Sequence, residues 1–107
     1  MASRIYSLEY LPIARQDMID IVRYISHDLA NPSAAERLTD ELIEGVDRLI
    51  DFPYAAPVYH PARPLKKEYL RALVKNYFIL YSVDEIPKLI TVARVIYARR
   101  NYRELLD

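Results

Sequence analysis

The sequence has no cysteine, no tryptophan and a single glycine, at position 45. Without cysteine there is no disulfide framework, thiolate zinc site, iron–sulfur cluster or cysteine nucleophile. One glycine excludes a P-loop, a dinucleotide-binding G-x-G-x-x-G and a G-x-S-x-G elbow, because each needs several residues without a Cβ. No apolar run reaches the roughly 18 residues of a membrane span, and the N-terminus lacks a signal peptide's basic-then-apolar pattern. A cytoplasmic protein with no membrane partner is expected. The two histidines, His27 and His60, are far apart and form no metal motif. No metal and no cofactor are expected.

What is present is an ordinary globular composition. The chain has 107 residues, 52% hydrophobic and 28% charged. At this size about 60–70% of the unfolded surface can be buried, enough for one core, so residues 1–107 are read as one domain. The formal net charge is zero, with 15 bases and 15 acids. That sum argues against a nucleic-acid binder, but it hides an asymmetry. Residues 1–52 hold ten acids and five bases; residues 53–107 hold ten bases and five acids. Such asymmetry points to an interaction surface on the basic half.

Residues 5–10 read as a short strand that stops before Pro12. From Ile13 to about His27 the pattern is helical, with Ala14, Met18, Ile21 and Ile25 on one stripe and Val22 and Leu29 beside it. Asn31-Pro32 reads as an N-cap and a first helical residue. A second helix runs to about Asp51, with Ala35, Leu38, Leu42, Val46 and Leu49 inward. Its outer face pairs Arg37 with Glu41 and Glu44 with Arg48 at i, i+4 spacing. Gly45 costs about 1 kcal/mol relative to Ala inside a helix. A close approach by the first helix would explain it, and so would simple tolerance. Pro53 ends the helix, and the short connection makes the two helices an antiparallel hairpin.

Residues 53–68 hold four of the seven prolines and read as a long loop, of a length that points to function. Three strands follow: 69–74, 77–83 and 89–97, joined by Lys75-Asn76 and by a turn through 84–88. Short connections make them an antiparallel meander. Residues 99–106 could add a terminal helix. The order β-α-α-β-β-β gives an α+β fold, a helical hairpin on an antiparallel sheet. Strict alternation puts Ile90, Val92, Arg94 and Ile96 on one face of the last strand, with Val95 and Tyr97 on the other. Both faces of the meander are largely apolar. One packs on the helices; the other is covered by the loop and C-terminal segment or awaits a partner.

Tyr97, Arg99, Arg100, Tyr102 and Arg103 form a basic and aromatic cluster. Arg offers phosphate a planar fork and Tyr can stack on bases. If Arg63, Lys66, Lys67 and Arg71 lie nearby, one end of the sheet becomes a compact cationic site. The competing reading is a solvated, charged terminus. His27 can sit over the first helix's last carbonyls, and His60, in the loop, could serve as a general acid or base. The acids of the second helix alternate with Arg and read as a solvated face. Among the ten tyrosines, Tyr6, Tyr77 and Tyr81 are read as core or half-buried, while Tyr54 and Tyr59 are placed to pin the loop.

Four strings carry a resemblance: Y-L-P-I-A-R-Q-D-M-I-D-I-V-R-Y-I at 10–25, N-P-S-A-A-E-R-L at 31–38, N-Y-F-I-L-Y-S-V-D at 76–84 and A-R-V-I-Y-A-R-R-N-Y at 93–102. In this order the chain resembles the RelE/ParE superfamily of toxins from type II toxin–antitoxin modules, and its ParE-like branch more than the other. The resemblance implies a helical hairpin on a curved antiparallel sheet and a growth inhibitor of the plasmid-stabilisation type. It implies a cognate antitoxin as partner, in a hetero-oligomer, and no cofactor. ParE-like members are associated with poisoning DNA gyrase. RelE-like members are mRNA interferases that cut mRNA on the ribosome without a metal, so the protein is an enzyme only on that reading. A module that binds an antitoxin without being toxic is the third reading.

Carried over by position, Arg71 matches an often basic site and Arg100 a basic residue of the nuclease members. Tyr97 stands where many members have His. As a nuclease, the chain would use Arg71, Arg100 and Tyr97 in catalysis. Arg63, Lys66, Lys67, Arg99, Tyr102 and Arg103 would contact target or phosphate. One departure matters: Phe78 replaces a common Arg. Both branches commonly have that Arg. A missing cation removes a phosphate contact that could stabilise a transition state, which weighs against mRNA cleavage and says little about gyrase.

Overall fold

The computed structural model describes residues 5–61 and 65–99. Arg63, Arg100, Tyr102, Arg103 and all of the expected terminal helix except Arg99 lie outside the described residues. The elements are β1 (Ser7–Tyr10), α1 (Pro12–Arg23), a π-helical turn (Tyr24–Asp28), α2 (Pro32–Asp51), β2 (Leu70–Val74), β3 (Tyr77–Asp84) and β4 (Leu89–Tyr97). They make the expected α+β fold, two helices on a four-stranded sheet of order β1-β4-β3-β2. The meander is antiparallel. β1 joins it parallel to β4, Ser7 opposite Leu89 and Tyr10 opposite Val92, so the sheet is mixed. Residue alternation reads the same in both directions and gives an isolated first strand no polarity.

Pro12 opens α1, where its missing N–H would have no intrahelical partner in any case. The helix expected to reach His27 changes pitch after Arg23. Its last turn widens, with the Leu29 N–H donating to the Tyr24 carbonyl at 3.1 Å. Ala30, at φ 50°, turns the chain. Asn31 then caps α2 as expected, its Oδ1 accepting from the Ala34 N–H at 3.1 Å. Such a cap contributes about 1 kcal/mol. Glu41, expected to pair within its own helix, reaches Lys75 in the β2–β3 turn at 2.8 Å.

The core lies between hairpin and sheet. Ala14, Leu42 and Val46 meet Ile79, Tyr81, Ile90, Val92 and Val95. Each fully buried aliphatic side chain there contributes about 1.5–3 kcal/mol. Tyr81 is 0% exposed and donates its hydroxyl to the Pro53 carbonyl at 2.8 Å, tying the end of α2 to the sheet. Burial pushes its phenol up to about 12. Gly45 does mark a close approach, but the neighbour is β2 and not α1. A Cβ on Gly45 would lie 2.5 and 2.9 Å from the two Val74 methyls.

Strict alternation along β4 fails at one place. Val92 pairs with Tyr81 and Arg94 with Leu80, so Ala93 is an extra residue, a β-bulge. Past it the faces exchange. Val95 packs with the helix-side core, while Ile96 joins Leu80 and Tyr59 on the other face. The grouping of Ile96 with Ile90 and Val92 is thereby corrected. Arg94, beside the bulge, reaches Asp17 of α1 through Nε at 2.7 Å and Nη2 at 2.9 Å. The same carboxylate accepts the Val95 N–H at 3.0 Å. That fork holds the guanidinium's pKa above its ordinary value.

Candidate functional site

On the sheet face away from the helices, the meander carries Arg71 and Leu73 from β2, Phe78 and Leu80 from β3 and Ile96 from β4. The proline-rich loop covers part of this face. Tyr59 packs on Leu80 and Ile96, with Leu65 and Tyr69 against them. The loop also pairs with the edge of β2. Tyr59 donates its N–H to the Tyr69 carbonyl at 2.8 Å, Arg71 donates to the Pro57 carbonyl at 2.9 Å, and Val58 bridges Leu70. Four prolines hide this pairing from any periodicity reading. Of the two fates expected for the second apolar face, cover by the loop holds at Leu80 and Ile96, while Leu73 on the same face stays 62% exposed.

Arg71 lies over the Phe78 ring at 4.4 Å and over Tyr59 at 5.9 Å. A cation on an aromatic face gains about 0.5–2 kcal/mol, more as water is excluded. Phe78, which replaces the expected cation, is thus the platform that holds another. Beside this pair, a shallow recess gathers His60, Lys66 and Lys67 with Tyr59 and Glu68. His60, Lys66 and Lys67 are exposed, and Arg71 is half-buried. The compact cationic site expected from sequence therefore exists in part, as Lys66, Lys67 and Arg71 around Tyr59, with His60 at its rim. Cations grouped in this way can attract an anion or an acidic surface.

Tyr97 is elsewhere. The bulge puts it on the helix side of β4, where its ring tilts against Tyr77 at 5.6 Å between centroids. Tyr97, 42% exposed, lines a groove with Tyr24, Leu29 and Asp20. Arg71 and Tyr97, paired in the nuclease reading, lie on opposite faces of the sheet. Arg99 is exposed just past the end of β4. His27 is exposed, and its carbonyl accepts the Ala30 N–H.

One cluster escaped the sequence reading apart from the loop-pinning role of Tyr54. Glu85, in the β3–β4 turn, accepts from Tyr6 at 2.8 and 2.9 Å, from Tyr54, and from Lys88 at 2.6 Å. These bonds, Lys88's first, hold the Glu85 carboxyl down to about 2. The Glu85 bond pushes the Tyr54 phenol up to about 12. The three partners lie far apart in sequence, so no local pattern signals the cluster.

Among the described residues no helix is long and apolar enough to cross a membrane. The chain matches no curated protein. Solved structures share its fold. It is similar to the chromosomal ParDE toxin–antitoxin system of P. aeruginosa, at TM-score 0.71 and 16% identity, over 91% of this chain and all of that one. It is also similar to the toxin–antitoxin complex RelBE2 of Mycobacterium tuberculosis, at TM-score 0.63 and 18% identity, over 86% and 96%. A family model described as the ParE toxin of the type II toxin–antitoxin system, parDE, matches residues 8–102. That match spans nearly all of the sequence, and the chain belongs to the ParE toxin family of type II toxin–antitoxin systems.

Proposed function

We propose that the protein inhibits DNA gyrase by protein–protein contact and is held inactive by a cognate antitoxin bound to it. The family match over residues 8–102 carries this reading. The site adds support. Its cation, Arg71, lies over the Phe78 ring at 4.4 Å, and Tyr97 is on the other side of the sheet. A mixed apolar and basic face of this kind suits an acidic protein surface. The antitoxin proposal draws on the two similar structures, both of toxin–antitoxin systems. Purified protein added to gyrase in a supercoiling assay is expected to stop supercoiling near stoichiometric amounts. Full supercoiling at a large excess would remove the gyrase target.

A second reading, a ribosome-dependent mRNA endonuclease, is favoured by one observation, the recess that joins His60 to Lys66, Lys67 and Tyr59. There the lysines and Arg71 would bind phosphate and His60 would move a proton. Transcripts cleaved after induction, with supercoiling intact, would select it. A protein with no effect on growth without its partner would select the non-toxic binding module.

A further inference from the structure

The groove that holds Tyr97 has no task in the toxin reading. It lies between α1 with its π-helical turn and the adjoining ends of β3 and β4, with a volume of about 580 Å³. Small-molecule sites have volumes of roughly 300–1,000 Å³. Three of the ten tyrosines line it. Tyr77 and Tyr97 are cross-strand partners, and their rings are tilted by 57°. Tyr24 enters from the helix side. The three hydroxyls are near one another: burial first, then the Tyr97 and Tyr24 groups, push the Tyr77 phenol up.

The remaining wall is acidic. Asp17, Asp20 and Tyr24 follow at i, i+3 and i+7, one stripe of the helix. The Arg94 fork offsets the charge of Asp17. Asp20 accepts from the Gln16 side-chain amide at 2.8 Å, a neutral partner that orients the carboxylate and leaves its charge in place. Among the described residues no base lines the groove. The lining therefore keeps one net negative charge beside three rings. The π-helical turn shapes the end of the groove. In an unbroken α-helix Asp28, four residues on, would stand next to Tyr24. The wider turn brings Leu29 there, five residues on, and Leu29 lines the groove while Asp28 does not. Single π-helical turns of this kind are frequent at functional sites.

We propose that this groove binds a small organic cation, an ammonium group on an apolar body. The ammonium lies among the faces of Tyr24, Tyr77 and Tyr97 and meets the Asp20 carboxylate. The body packs on Leu29 and Ile21. Aromatic side chains attract a cation through the negative face of the ring, and more strongly where water is thinned. One carboxylate beside them selects a cation over a neutral molecule of the same shape. The inference goes beyond the toxin reading and does not depend on the toxin's target.

The test uses the full chain and three probes of nearly equal size: phenethylammonium, 2-phenylethanol and phenylacetate. In NMR titrations at pH 7 and low salt, phenethylammonium is expected to shift the Asp20, Tyr24 and Tyr97 amides saturably. The neutral and anionic probes are expected to bind about tenfold more weakly or less. Asp20→Asn keeps an oxygen for the Gln16 amide and removes the charge, and it is expected to weaken phenethylammonium about tenfold. Tyr24→Leu keeps apolar area and removes a ring, for a severalfold loss. Both positions are exposed. Should Tyr24→Leu fail to fold, Asp20→Asn still decides. Asp40→Asn, an exposed acid of α2 outside the groove, is expected to change nothing. Equal binding of 2-phenylethanol would reduce the groove to an apolar cleft and overturn the proposal. Equal losses in Asp20→Asn and Asp40→Asn would assign the attraction to net charge and overturn it too. So would the absence of any saturable shift at these amides.

Discussion

Two residues show how one contact decides a position. Arg94 stands in an apolar alternation and is a cation where none fits without a partner. Asp17 supplies both oxygens of the fork and also accepts the Val95 N–H at the bulge. Removing one member of such a buried pair leaves the other uncompensated, at about 3–5 kcal/mol. Asp17→Ala is therefore expected to cost that much in urea unfolding. Gly45 sets two effects against each other. Alanine gains about 1 kcal/mol of helix propensity. The new Cβ meets the Val74 methyls at 2.5 and 2.9 Å, and overpacking of that kind costs about 1–3 kcal/mol. Gly45→Ala is expected to destabilise, and adding Val74→Ala is expected to reverse the sign. The sequence flagged Gly45 as costly in a helix and placed Arg94 among apolar neighbours. It could not name their partners, because Asp17 and Val74 are distant along the chain.

Between elements, the Glu85 cluster ties the stretch before β1, the turn after α2 and the β3–β4 turn together. Its carboxyl sits at about 2, against an ordinary value of 4.5. A folded value below the unfolded one stabilises the fold above pH 4.5, and the effect is lost as pH falls toward about 2. The cluster is exposed, so the gain is modest and salt-screened. Glu85→Gln is expected to flatten the fall in melting temperature between pH 5 and pH 2, measured at low salt. The helices and meander strands were legible because each is one clean period. Misreadings fell where a period changes: the π-helical turn after Arg23, and the extra residue at Ala93. Both are single-residue changes in phase, which an average over a window cannot see.

Over the whole molecule, the charge asymmetry has a smaller free component than the counts imply. Of the bases in the second half, Arg94 is engaged by Asp17, Lys75 by Glu41 and Lys88 by Glu85, and Arg71 lies on Phe78. Lys66, Lys67 and Arg99 stand exposed among the described residues. Exposed charges steer encounter and are screened beyond about 8 Å at physiological salt. Lys66→Glu with Lys67→Glu is expected to slow association with the target severalfold and to flatten its salt dependence, as read by stopped-flow mixing. Lys75→Glu is expected to leave the rate near wild type. Equal effects from both variants would mean that net charge, not this recess, guides the encounter.

The sequence by itself determined the elements, their order and the family. Those follow from local period, capping residues and strings that need no knowledge of what lies across the core. It also excluded whole chemistries, since no fold can supply a thiolate or a glycine-rich loop that the chain does not encode. Tertiary structure decided the rest: the direction of β1, the strand that crowds Gly45, the ring beneath Arg71, and the face that carries Tyr97. Each is a relation between residues far apart in the chain. A bulge of one residue at Ala93 was enough to place Tyr97 and Arg71 on opposite sides of the sheet, because side chains in a strand alternate with period two.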